Sequence, residues 1–181
     1  FAKPGAAVVS FHGGPEAREG TAFNPLYQAL LAQGVVIFAP NVRGSAGFGK
    51  SYEHADNGRL REDAFADVAA CTDFLVQEGI ADPQLIGVMG VSYGGYLTLV
   101  SFTHFADLFA AGVVCSGFSD FETFFANTEA WIAKISKTIY GDPEKDAALL
   151  REISPIHKLN ALKAPLLIFH GENDTNVHVS E

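Results

Sequence analysis

The chain has 181 residues, 48% of them hydrophobic and only 18% charged, with a net charge of −9. This length supports one domain with a substantial core, and the low charge suits an α/β protein whose central strands are covered on both faces. The negative balance, with no basic stripe to offset it, argues against nucleic acid or an anionic membrane as a partner.

No apolar run is long enough to span a bilayer, and no signal peptide is visible at the N-terminus, so a cytoplasmic protein is expected. Cys71 and Cys115 do not make a disulfide framework, and both are expected to be buried free thiols. The chain opens on Phe1 rather than Met, which predicts an internal piece of something longer.

In chain order, residues 6–11 (AAVVSF) read as a short buried strand running into the breaker-rich turn His12-Gly13-Gly14-Pro15. Residues 23–33 have helical spacing, with Phe23, Leu26, Tyr27, Leu30 and Leu31 on one face and Gly34 as the stop. Residues 35–39 (VVIFA) form a second strand before a glycine-rich loop, Asn41 to Lys50. Residues 61–77 form a long amphipathic helix, and Asp82-Pro83 a turn. A strand from Leu85 enters Ser92, and a helix follows to about Phe105. Residues 109–115 (FAAGVVC) are a further strand. From Phe118 to Leu159 the pattern is helical, with no convincing strand and many aromatic rings. Residues 166–169 (LLIF) restore the strand rhythm. The alternation predicts a mostly parallel sheet with helices on both faces. Ligands in such folds bind at the carboxyl ends of the strands, where His12, Arg43, Ser92 and Ser116 fall.

The organising stretch is Gly90-Val91-Ser92-Tyr93-Gly94-Gly95-Tyr96. A G-x-S-x-G motif between a strand and a helix is the nucleophile elbow of an α/β-hydrolase, in which the serine stands clear of a sharp turn with small neighbours. Ser92 is therefore the expected nucleophile. Chain order in this fold is Ser, then Asp or Glu, then His. Asp174, following the last strand, is the expected acid, though an Asp there also caps turns. The expected oxyanion donors are the backbone N–H groups of Tyr93 and Gly14. The base has no good candidate. Only His178 follows Asp174, and four residues are too few to bring it back over Ser92. His12 and His170 stand on the wrong side of the acid, and structural hydrogen bonding is expected of them.

Together, His12-Gly13-Gly14-Pro15, Asn41 to Gly49, Gly90 to Tyr96, Ser154-Pro155-Ile156 and Ala164 to Asp174 resemble the catalytic domain of the prolyl oligopeptidase family of serine peptidases, in its acylaminoacyl-peptidase and dipeptidyl-peptidase-like branch. The resemblance covers nearly the whole chain. It implies an α/β-hydrolase fold over residues 1–181, incomplete at its C-terminal end, with a helical excursion over about residues 118–159. It implies a peptidase acting on short peptides or acyl-peptides, with Ser92 and Asp174 catalytic and Gly14 and Tyr93 in the oxyanion hole. Phe118, Phe121, Phe125 and Trp131 would then help form the substrate pocket. Two family features have no counterpart here: an N-terminal β-propeller, and a Gly-His-Gly-like segment that carries the triad histidine. The base is accordingly expected beyond Glu181. No metal or organic cofactor is implied, since neither an H-E-x-x-H motif nor a P-loop occurs. A carboxylesterase of the same fold and a non-catalytic interaction module remain open, as does homo-oligomerisation.

Overall fold

The computed structural model describes residues 4–181. Five strands, β1 (Gly5–Phe11), β2 (Val36–Phe38), β3 (Ala81–Val91), β4 (Ala111–Cys115) and β5 (Leu166–Phe169), form one sheet in the order β2-β1-β3-β4-β5. Every neighbouring pair is parallel. Seven α-helices accompany them: α1 (Pro25–Ala32), α2 (Lys50–Glu53), α3 (Arg61–Gln77), α4 (Tyr93–His104), α5 (Phe121–Asn127), α6 (Ala130–Tyr140) and α7 (Ala147–Glu152). The expected α/β-hydrolase architecture is therefore present. Among the described residues no helix is long and apolar enough to cross a membrane.

The chain moves from β1 outward to β2 and then back across β1 to β3. Right-handed crossovers in opposite directions place α1 on one face of the sheet and α3 and α4 on the other. The loops leaving β1 and β3 diverge at this reversal, and the crevice that opens between them is where ligands bind in open α/β sheets. His12 to Pro15 and Ser92 stand on its two sides.

Helix α4 is the centre of the molecule. Every residue from Tyr93 to Thr103 is buried. Its sequence allows this because it has no charged side chain before His104. Its hydroxyls turn back onto the helix, Thr98 to the Gly94 carbonyl at 2.9 Å and Ser101 to the Leu97 carbonyl at 2.8 Å.

Several local expectations are corrected. Helix α1 is shorter than residues 23–33, because the Asn24 side chain caps it by accepting from the N–H groups of Leu26 and Tyr27. Its apolar face is not buried: Phe23 is 80% exposed, and α1 contributes no buried residue. Asp82-Pro83 lies inside β3 instead of before it. The pairing with β1 skips there from Ala81 to Ile86, and Asp82 closes a local turn by accepting from Gln84 N–H. The strand expected at residues 109–115 starts only at Ala111. Cys71 is buried, but Cys115 is exposed. Among the described residues strand β5 is outermost in the sheet, and Leu167, Ile168 and Phe169 are each more than half exposed there. No strand among the described residues pairs with its outer side.

Candidate active site

At the end of β3 the backbone turns so sharply that Ser92 adopts φ 54°, ψ −117°, in the left-handed region that few non-glycine residues occupy. Its N–H is tied to the Cys115 carbonyl at 2.9 Å. The neighbouring glycines are required by contact. A Cβ on Gly90 would strike the Gly94 backbone, and one on Gly94 would strike the Phe11 carbonyl. One on Gly95 would meet Gly117 Cα at 2.7 Å. The elbow is thus wedged among β1, β3 and β4, and Ser92 is left partly exposed at its tip.

Tyr93 is the first residue of α4, so its N–H has no acceptor within the helix. The Gly13-Gly14 loop lies against the elbow: a Cβ on Gly13 would sit 3.4 Å from the Val91 carbonyl and 3.6 Å from Ser92 Cβ. Gly14 has φ 127° and faces the cavity beside Ser92. His12 holds this loop, as expected, through Nε2 to Ser45 Oγ at 2.9 Å. Arg43 is engaged in a fork on Asp67, with Nε at 2.9 Å and Nη2 at 2.8 Å, and so braces its loop against α3.

Asp174 follows β5 on a turn that it organises itself. Its Oδ1 accepts from Asn176 N–H at 3.0 Å and Val177 N–H at 2.9 Å. Burial alone would raise this carboxyl, but those two N–H groups, the Ser116 hydroxyl and nearby His170 bring it below the ordinary carboxylate value. The turn-capping role of an Asp is therefore present here. The same turn carries Asn176 and Val177 into the cavity beside Ser92. His170 is occupied by the Val177 carbonyl at 2.7 Å, and exposed His178 by Ser180 Oγ at 2.9 Å. None of the six histidines lines the Ser92 cavity.

That cavity has a volume of about 190 Å³ and is walled mainly by α6. Phe118 and Trp131 line it. Phe121 and Phe125 do not; Phe121 is fully buried, packed against Tyr96, Phe118 and Tyr140. Phe124 and Tyr140, aromatic rings of the same stretch, line the cavity too, as does the aliphatic Ile139. Their helical spacing is visible in the sequence, but which face of a short helix looks inward depends on what packs against the other.

An unforeseen feature lies beneath Tyr93. Arg61 and Asp56 have fully buried side chains and form an ion pair. Arg61 Nη1 also donates to the Tyr93 hydroxyl at 2.6 Å, and that hydroxyl donates to Asp56 Oδ2 at 3.2 Å. Burial drives the Asp56 carboxyl upward against the pull of Arg61. A charged residue opening an amphipathic helix reads as solvent-facing. The one available signal was its sign, since a cation in the first helical turn opposes the helix dipole.

Comparison with known proteins places these residues in context. The model of the "Prolyl oligopeptidase family" matches residues 21–181. The chain is 34% identical to dipeptidyl aminopeptidase BIII of Pseudoxanthomonas mexicana over 98% of its own length and 27% of that protein's. It superposes on the acylaminoacyl peptidase of Pyrococcus horikoshii with a TM-score of 0.90 at 30% identity, covering 98% of this chain and 29% of the other. An acylaminoacyl peptidase in complex with Z-Gly-Gly-Phe-chloromethyl ketone matches equally well, with a TM-score of 0.90 at 30% identity, over 98% of this chain and 29% of that one. The chain thus spans little more than a quarter of these relatives.

Proposed function

We propose, because the chain belongs to the prolyl oligopeptidase family of serine peptidases, that it supplies the nucleophile, acid and oxyanion hole of a peptidase that cleaves short peptides or acyl-peptides. The observation that carries this reading is the elbow: Ser92 held at φ 54° at the end of a parallel strand, beside the Gly13-Gly14 loop and over an apolar cavity.

In this reading Ser92 Oγ attacks the scissile carbonyl while a histidine outside residues 1–181 takes its proton. Asp174 holds that histidine in the productive tautomer. The N–H groups of Tyr93 and Gly14 receive the developing oxyanion, and water then releases the acyl-enzyme. The cavity walled by Phe118, Trp131 and α6 takes the apolar side chain on the acyl side of the cleaved bond. Residues 1–181 form the larger part of one α/β-hydrolase catalytic domain, whose histidine-bearing segment lies outside them. The relatives' names support peptides as substrates, since they are dipeptidyl and acylaminoacyl peptidases.

The test uses the full-length protein. A fluorophosphonate probe should label Ser92 and fail to label Ser92→Ala, and peptide anilides should be cleaved at least as readily as p-nitrophenyl esters. Labelling with ester turnover but no anilide cleavage would make it an esterase. No labelling at all would leave a non-catalytic module.

A further inference from the structure

We infer that Arg61 and Asp56 are positioning residues for the oxyanion hole: their buried ion pair grips the Tyr93 side chain and so fixes the direction of the Tyr93 N–H. This rests on the peptidase reading of Ser92. Neither side chain has any exposed surface. The Tyr93 hydroxyl is held from two sides, by Arg61 Nη1 and by Asp56 Oδ2. The guanidinium carbon lies 5.0 Å from the centre of the Tyr93 ring and 4.9 Å from that of Tyr140, and Nη2 reaches the Ile139 carbonyl at 3.5 Å. One cation thus joins the first residue of α4 to the last turn of α6, which walls the cavity.

Stability alone does not explain the arrangement. A buried ion pair commonly gains nothing over apolar residues of equal volume, because desolvating both charges offsets their attraction. This pair is also incompletely bonded: Asp56 Oδ1 and Arg61 Nε are buried without a partner. Space is cleared for it as well. Gly44, at φ 98°, lies so close to the Asp56 carboxylate that any Cβ would collide with it. What the pair does achieve is directional. Tyrosine has only two side-chain torsions. A ring clamped at its hydroxyl and stacked under a guanidinium therefore leaves the Tyr93 backbone little room to rotate. An oxyanion donor acts only when its N–H is aimed, before reaction, at the position the oxygen will take.

Tyr93→Phe removes one oxygen and keeps the ring, and Arg61→Met removes the charge at similar length. In the full-length enzyme each should lower kcat, and weaken a peptide-aldehyde inhibitor that forms a tetrahedral adduct on Ser92, by about tenfold to a hundredfold. KM and the affinity of the amine-side product peptide should stay within about twofold, because neither fills the oxyanion hole. Arg61→Lys should recover part of the loss. Variants with the parent's kcat and aldehyde affinity would overturn the inference, as would equal losses for aldehyde and product. Should Arg61→Met not fold, Tyr93→Phe decides alone. If the parent itself lacks Ser92-dependent turnover, the peptidase reading fails and this inference falls with it. An active parent with indifferent variants refutes the inference only.

Discussion

Under the proposed function Asp174 carries two loads, and a single substitution separates them. Its Oδ1 closes the turn through Asn176 and Val177, and under the proposed function its charge would also orient a histidine. Asn in its place keeps an acceptor for both N–H groups but cannot hold an imidazolium. Asp174→Asn should therefore lower kcat by about ten-thousandfold in the full-length enzyme, with a thermal midpoint close to the parent's. If the residue only capped the turn, activity would survive. The depressed carboxyl has a further consequence. A group whose folded pKa lies below its unfolded value contributes stability above the unfolded value and loses it as pH falls through the folded one. The contribution of Asp174 is thus intact at neutral pH and disappears only in acid below the ordinary carboxylate range. The acid limb of a kcat/KM profile near pH 6–7 should then report the histidine, and a pH titration of kcat/KM checks this.

Among the elements, α4 is buried from Tyr93 to Thr103 under a cover of aromatic rings. Phe121 is fully buried between Tyr96, Phe118 and Tyr140, with ring centroids 4.8–5.4 Å away. Phe121→Ala should cost about 3–5 kcal/mol in denaturant unfolding, the usual result of emptying a large aromatic site. Tyr96 ties α4 to the chain after α7 by donating to the Ile153 carbonyl at 2.8 Å. Trp131, 61% exposed on α6, should by contrast tolerate Ala with little loss of stability while changing substrate preference, since it edges the cavity and does not fill the core. Equal losses of stability for Phe121→Ala and Trp131→Ala would contradict this division.

At the scale of residues 4–181 as a whole, the two outermost strands of the sheet differ in kind. Edge strand β2 has only three residues, none of them fully exposed. Edge strand β5 presents Leu167, Ile168 and Phe169 to solvent beside an open row of backbone groups. Such an edge is prone to pair with another chain. Residues 1–181 expressed alone should self-associate as concentration rises, and Ile168→Lys should suppress this, as sedimentation velocity would show. A monomer at all concentrations would mean that the edge is protected by its own twist or side chains.

Much of this organisation was legible in the sequence because it is local. The apolar runs of β1, β3 and β4, the bounds of α3, and the strand–turn–helix context of Ser92 follow from periodicity and from glycines that only a tight turn requires. Glycine at positions 90, 94 and 95 announced close packing before any neighbour was known. Tertiary structure alone decided which of these strands lie side by side in the sheet. It also decided which aromatic rings face the Ser92 cavity and which fill the core. The burial of Arg61 is the sharpest instance. A charge at a helix start reads as solvated, and only the approach of Asp56, Tyr93 and Tyr140 from distant parts of the chain creates the desolvated site that holds it. Pattern along a chain records each residue's own preference for water, whereas burial is set by what other segments bring to it.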